Sequence, residues 1–166
     1  MNILLNRHLI QTLSAQNKLQ PLNPGGKIQE NGTPIRIMNL ESPKVTVQKS
    51  SQDIFDYLSN VSNFEQLMPE NIDKFEAGDE SFLFALKGMP EIELKLQEVE
   101  APKKIVLGSA NEKFPFSLTA DIEDNSVSSS NVQLLFDGKF NPMVAMMVKK
   151  PLQKFIDTLI GNIEQQ

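Results

Sequence analysis

Apolar and polar residues alternate along much of the second half of the chain. In residues 80–87, Phe82, Phe84 and Leu86 share one side, and residues 114–123 and 131–140 repeat the pattern. Successive side chains of a strand point to opposite faces, so a period of two predicts strands with one buried and one solvated face. Strands are predicted at residues 43–49, 71–77, 80–87, 91–100, 105–107, 114–123 and 131–140.

Two departures from this alternation carry information of their own. In residues 91–100 the phase slips at Glu98, and Val99 then resumes the apolar side. One extra residue of this kind predicts a β-bulge. Residues 125–130, almost all polar, are predicted to form a loop between the last two strands.

Two short helices are predicted between the first strand and the second. Ser50 precedes Asp53 by three residues, as at a helix start, and apolar residues then recur at helical spacing. The same start signal recurs at Ser62, and this second helix should end before Pro69 because a residue that precedes proline avoids the helical conformation.

A long helix is predicted at the C-terminal end. Asn141 is suited to the N-cap and Pro142 to the first helical position. Apolar residues recur at steps of three and four through residues 142–165, and a sheet with one apolar face needs such a cover. Pro151 removes one backbone donor and predicts a kink. These elements together indicate an α+β domain.

The first 37 residues are predicted to be an appendage to this domain. Proline and glycine are concentrated between Pro21 and Pro34, and residues of this kind interrupt regular structure. We therefore expect residues 1–37 to form a flexible N-terminal extension, and Met38 is a candidate start of the native chain. Residues 38–166 are expected to form the domain.

Composition excludes several kinds of site. The chain has no cysteine and a single histidine, His8, so neither thiolate catalysis nor a histidine-based metal site can form in the domain. We expect no metal and no cofactor. The net charge of −5 disfavours nucleic-acid partners. No apolar run reaches the roughly 18 residues of a membrane span, and the lack of cysteine fits a reducing compartment, so a cytoplasmic location is expected.

The order of elements resembles the START-related lipid-transfer superfamily, also called SRPBCC. Residues 54–69 resemble the helix–loop–helix that follows the family's first strand, and residues 141–152 resemble its final helix with an interior proline. The resemblance covers about residues 40–166. Within the superfamily it is to the polyketide cyclase/dehydrase-like or the coenzyme-Q-binding-like branch. It implies a helix-grip fold, in which a curved six- to seven-stranded antiparallel sheet wraps around a long, kinked C-terminal helix.

The same resemblance implies an apolar cavity between the concave face of the sheet and the final helix. None of the inward positions is charged, which a ligand cavity and a filled core would both require, so the pattern leaves both interpretations open. The candidate ligand-binding residues are Met68, Phe82, Phe84, Leu86, Met89, Leu94, Phe116, Leu118, Leu134, Phe136, Met143, Met147 and Phe155.

Five methionines are expected to lie at one end of the implied arrangement and to surround the mouth of the cavity. Methionine is flexible and polarizable and suits adaptable apolar surfaces, although methionines in a helix also serve as core filler. These five are Met68, Met89, Met143, Met146 and Met147. The neighbouring pair Lys149 and Lys150 suits either an acidic head group or a solvated helix face.

Three function classes follow from these features. The first is a non-catalytic carrier or sensor of a small hydrophobic molecule, as a monomer or weak dimer. The second is a cyclase- or dehydratase-like enzyme, for which no acid–base pair converges: Tyr57 lies off the apolar line of its helix, and Asp121 and Asp137 point outward by alternation. The third is a protein-binding module similar to the chaperone activator of the superfamily, which would use the outer face of the sheet. In this chain that face is charged, which disfavours an apolar interface there.

Overall fold

The computed structural model describes residues 26–28, 34–111 and 115–166. The helices of this part are α1 (Ser51–Ser59), a 3-10 helix (Val61–Leu67) and α2 (Pro142–Glu164). The strands of the same part are β1 (Gly26–Ile28), β2 (Pro34–Glu41), β3 (Val45–Val47), β4 (Ile72–Ala77), β5 (Ser81–Leu86), β6 (Ile92–Glu100), β7 (Lys104–Ser109), β8 (Phe116–Ser126) and β9 (Ser129–Phe140).

The strands form one antiparallel sheet in the order β1-β2-β9-β8-β7-β6-β5-β4, with β3 also paired to β9. Strands β2 and β3 both lie along β9 and act as one interrupted strand. At the interruption the Leu134 N–H donates to Ser42 Oγ at 2.8 Å, and the Ser42 N–H donates to the Leu134 carbonyl at 2.9 Å. The serine hydroxyl thus takes the place of a backbone acceptor.

Each strand predicted from the alternation overlaps an observed strand, and the described sheet also includes β1 and β2, which exceeds the six or seven strands expected. Arg36 lies opposite Phe140 and Met38 opposite Gly138, so the boundary expected at Met38 falls inside a paired strand. Residues 1–25 and 29–33 and the predicted strand position Phe114 lie outside the described residues. The flexibility of the extension stays a prediction.

The β-bulge predicted in β6 is confirmed by a shift of register between Leu96 and Glu98. Val99 lies opposite Ile105, yet it is 51% exposed whereas Ile105 is buried, so Val99 does not return to the buried side as predicted. The loop predicted at 125–130 is wrong, since β8 and β9 continue to a two-residue turn. Their side chains bond to one another there, with Asn125 Nδ2 donating to Ser129 Oγ at 2.9 Å.

Two of the predicted helix starts are confirmed by their capping bonds. Ser50 Oγ accepts from the Asp53 N–H at 3.1 Å, and Asn141 Oδ1 accepts from the Val144 N–H at 2.9 Å. The second short helix is a 3-10 helix whose N-cap is Asn60, two residues before the predicted Ser62, because Asn60 Oδ1 accepts from the Ser62 N–H.

A column of stacked phenylalanines fills the middle of the domain. Ring centroids are 4.9 Å apart between Phe64 and Phe82, 5.9 Å between Phe82 and Phe84, and 4.9 Å between Phe84 and Phe155. Such pairs contribute about 0.5–1.5 kcal/mol each beyond the burial of their area. The column joins the 3-10 helix, β5 and α2 across the concave face of the sheet.

Helix α2 is held to its neighbours by side-chain bonds in its second half. Asn162 Nδ2 donates to the Leu67 carbonyl at 2.8 Å, and Gln153 Nε2 donates to the Glu41 carbonyl at 3.0 Å. The first turns of α2 instead face the turn between β5 and β6, where the candidate site lies.

Stability is expected to fall as the pH rises above about 10. Burial raises the pKa of the Tyr57 hydroxyl above its ordinary value of 10.0, so folding favours the protonated phenol, and this contribution is present below pH 10 and lost above it. The hydrogen bond that Lys74 Nζ donates to Glu91 raises the pKa of Lys74, and the charges of Glu76 and Glu91 raise it further. The contribution of Lys74 to stability is therefore also lost as the pH rises. Denaturant unfolding across this range should show a shallower decline for Tyr57→Phe than for the wild type; an identical decline would contradict the assignment.

Candidate functional site

Two adjoining cavities lie between the turn of residues 87–90 and the first half of α2. One, which we call the aromatic cavity, has a volume of about 200 Å³ and is lined by Met89, Pro90, Glu91, Ile92, Glu93, Ser109, Asn111, Phe116, Phe136, Phe140, Val144, Val148 and Leu152. The other, the lysine-rimmed cavity, has a volume of about 500 Å³ and is lined by Pro69, Asn71, Leu86, Lys87, Gly88, Met89, Pro90, Met147, Val148, Lys150, Pro151, Lys154, Phe155 and Thr158.

The sheet wall of the aromatic cavity includes three phenylalanine rings. Phe116 stacks on Phe136 with centroids 5.4 Å apart, and the rings of Phe136 and Phe140 are nearly parallel at 6.4 Å. A Cβ on Gly138, which lies between them in β9, would come within 2.6 Å of the Phe140 ring and 3.1 Å of the Phe136 ring. Because glycine has no Cβ, the rings of Phe136 and Phe140 can both occupy the space above this position of the strand.

The helix wall of the aromatic cavity is an aliphatic stripe. Val144, Val148 and Leu152 recur every four residues and so lie on one face of α2. The Asn141 cap and Pro142 fix where this helix begins, and thereby which side chains reach the rings of the sheet.

Polar groups at the aromatic cavity are few and lie at its margin. Glu91 and Glu93 are exposed, and Glu91 Oε1 accepts from Lys74 Nζ at 3.0 Å. Ser109 Oγ donates to the carbonyl of Asn111 at 3.1 Å. With apolar walls and bonded polar groups, this cavity suits an apolar or aromatic guest.

The lysine-rimmed cavity combines apolar walls with a cationic edge. Leu86, Met89, Val148 and Phe155 supply apolar surface, while Lys87, Lys150 and Lys154 supply the charges. Among the described residues that line it there is no aspartate or glutamate. Within the described ranges, the ion pairs found within 4 Å involve Lys44, Lys74 and Lys104, so the three lysines of the cavity have no carboxylate partner there.

Pro151 lies on the same side of α2 and has no amide hydrogen to donate to the carbonyl of Met147, one turn earlier. Both residues line the lysine-rimmed cavity. The kink expected at this position stays a prediction.

Six of the thirteen candidate residues line these cavities, namely Leu86, Met89, Phe116, Phe136, Met147 and Phe155. The others line neither. Met143 is exposed, and the remaining ones are buried in the core: Met68, Phe82, Phe84, Leu94, Leu118 and Leu134. Ligand contact stays a prediction for the whole set.

The methionines do not form a single ring around one opening. Met89 and Met147 line a cavity, Met68 is buried, and Met143 and Met146 are exposed and line neither cavity. The prediction from sequence also missed Val144, Val148 and Leu152, although their regular spacing of four residues was a signal that could have identified them.

In the described part of the chain, no three histidine, aspartate or glutamate side chains come together as metal ligands would. Within the same part, none of the helices is both long enough and apolar enough to cross a bilayer.

Solved structures share this architecture. Norcoclaurine synthase from Thalictrum flavum, in complex with dopamine and hydroxybenzaldehyde, is 14% identical with a TM-score of 0.58, over 80% of this chain and 86% of that one. A START superfamily protein from Mycobacterium smegmatis is 16% identical with a TM-score of 0.55, over 78% and 97%. XoxI from Bacillus cereus is 10% identical with a TM-score of 0.60, over 78% and 93%.

Neither a protein-family model nor a curated protein matches the sequence. At these identities the structural similarities show the fold, and the predicted helix-grip architecture is confirmed.

Proposed function

We propose that this helix-grip protein binds a small hydrophobic molecule between its sheet and its C-terminal helix, as a cytoplasmic carrier or sensor. The observation that carries the proposal is the aromatic cavity, whose three phenylalanine rings face the aliphatic stripe of α2. Surface of this kind gains free energy when a guest removes it from water, at roughly 25 cal/mol per Å² of apolar area. The synthase bound to dopamine and hydroxybenzaldehyde supports the use of this fold for small organic molecules.

Binding accounts for the site better than catalysis does. Proton transfer needs an acid or base within reach of the reacting atom. Among the described residues that line the aromatic cavity, the carboxylates are those of Glu91 and Glu93, both exposed, and Glu91 is already paired with Lys74. Tyr57 lines neither cavity, and its hydroxyl donates to Gln66 Oε1 at 3.2 Å.

Titration with the neutral dye Nile red tests this proposal. Met89 is half-buried in the wall of both cavities, so Met89→Glu places a charge where the guest would lie and should weaken dye binding at least tenfold, or about 1.4 kcal/mol. Met146→Glu makes the same change at a position that is 82% exposed and lines neither cavity, and it should bind like the wild type.

Equal dye binding by the two variants, or no saturable binding by the wild type, would refute the proposal. Native mass spectrometry of protein purified from its own host adds a second readout, since a carrier should retain an apolar molecule at a fixed stoichiometry.

A further inference from the structure

We infer that the guest is an anionic amphiphile, whose carboxylate or phosphate head lies at Lys87, Lys150 and Lys154 while its apolar body extends past Met89 and Val148 into the aromatic cavity. This inference rests on the proposed hydrophobic binding and adds the chemical class of the ligand. The inference is based on two neighbouring features. The lysine-rimmed cavity has a cationic edge, and it shares an apolar wall with the aromatic cavity.

The charge at the lysine-rimmed cavity is positive, whereas the net charge of the whole protein is negative. The chain carries a net charge of −5, yet the residues that the structure describes in the lining of the lysine-rimmed cavity include three lysines and no carboxylate. Of the lysines elsewhere whose side chains the structure describes, Lys44, Lys74 and Lys104 form ion pairs and the rest do not. Cations gathered in a cleft create a local positive potential that attracts an anion.

Two of the three cations also stand in an unfavourable arrangement without a ligand. Lys150 and Lys154 are four residues apart on α2, and like charges at this spacing are destabilising. A bound anion would remove that repulsion, because each lysine ammonium can donate to the head group without a competing carboxylate.

The apolar walls determine the other end of the molecule. Met89, Pro90 and Val148 line both cavities, so an apolar chain that starts at the lysines has a continuous wall to follow into the ring cluster of Phe116 and Phe136. Cavities that hold small molecules generally measure about 300–1,000 Å³, and the lysine-rimmed cavity of about 500 Å³ lies within this range.

Calorimetric titration with oleate and with oleyl alcohol tests the inference, since the two probes share a hydrocarbon chain and differ in charge. The wild type should bind oleate at least tenfold more tightly, and added salt should reduce this preference. The double variant Lys150→Gln with Lys154→Gln should lose about tenfold in oleate affinity and keep its affinity for the alcohol.

The chain offers a charge-matched control. Lys149 and Lys103 are exposed and line neither cavity, so Lys149→Gln with Lys103→Gln removes the same net charge elsewhere. This control should retain the preference for oleate. An equal loss in the control would show a general charge effect and would overturn the inference.

The remaining outcomes separate this inference from the proposed function. If the wild type binds both probes equally, hydrophobic binding stands and the anionic head group is refuted; if it binds neither probe nor Nile red, both proposals fail. Oleoyl lysophosphatidate carries a phosphate head group where oleate carries a carboxylate. The probe that loses more affinity in the double variant identifies the head group that the lysines prefer. Saturable binding of inorganic phosphate alone, at the affinity of oleate, would refute the amphiphile.

Discussion

Replacing Phe84 with alanine is expected to lower the free energy of unfolding by about 3–5 kcal/mol, the range for removing a buried aromatic ring. Phe84 is 1% exposed and lies in the phenylalanine column, between the rings of Phe82 and Phe155. Because Phe84 lines neither cavity, Nile red affinity should change little wherever the variant remains folded. Denaturant unfolding and dye titration on the same samples provide the two readouts.

Phe116→Ala is the matched comparison, and Phe84→Leu is a milder variant in case alanine unfolds the protein. Phe116 is half-buried beside the aromatic cavity, so its removal should cost less stability and more dye affinity than removal of Phe84. If a Phe84 variant kept its stability but no longer bound the dye, the dye would have to bind among the stacked phenylalanines. This result would contradict the assignment of Phe84 to the core and of dye binding to the cavities.

Replacing Val144 with tryptophan is expected to reduce Nile red affinity at least tenfold with little loss of stability. Val144 lines the aromatic cavity but not the lysine-rimmed one, and an indole there would occupy much of a space of about 200 Å³. Valine and tryptophan have similar helix propensities, and the half-buried position leaves room for the larger ring to enter the cavity.

The control for this variant is Met146→Trp, which adds the same ring to the exposed side of the helix. Both variants should unfold at similar denaturant concentrations, and only Val144→Trp should lose the dye. Wild-type dye affinity in Val144→Trp would show that the dye binds outside the aromatic cavity.

The sheet from β5 to β9 was predictable because its alternation is local. Phe82, Phe84 and Leu86 show the buried face with no reference to any partner strand. Strand β2 was missed because it follows a proline- and glycine-rich stretch, and because its partner β9 lies near the other end of the chain. Pairing at such a distance leaves no signal in a short window.

The position of the cavities could not be predicted from the same pattern. Phe84 and Phe136 have equivalent places in the alternation, yet the first is stacked on Phe155 and the second borders a cavity. The difference arises from where α2 crosses the sheet. Alternation with a period of two shows which face of the sheet a residue occupies, but not how far the residue lies from the helix that covers this face. The space beside Gly138 is likewise filled by the rings of Phe136 and Phe140.

The partition between the two cavities has a thermodynamic consequence. Met89, Pro90 and Val148 belong to both walls, so a rearrangement that admits a guest on one side reshapes the other. Affinities linked in this way are reciprocal: whatever one occupant does to its neighbour's binding constant, the neighbour does in return. For the proposed amphiphile, the free energy gained by its head group in one cavity is therefore expected to depend on how its apolar body fills the other.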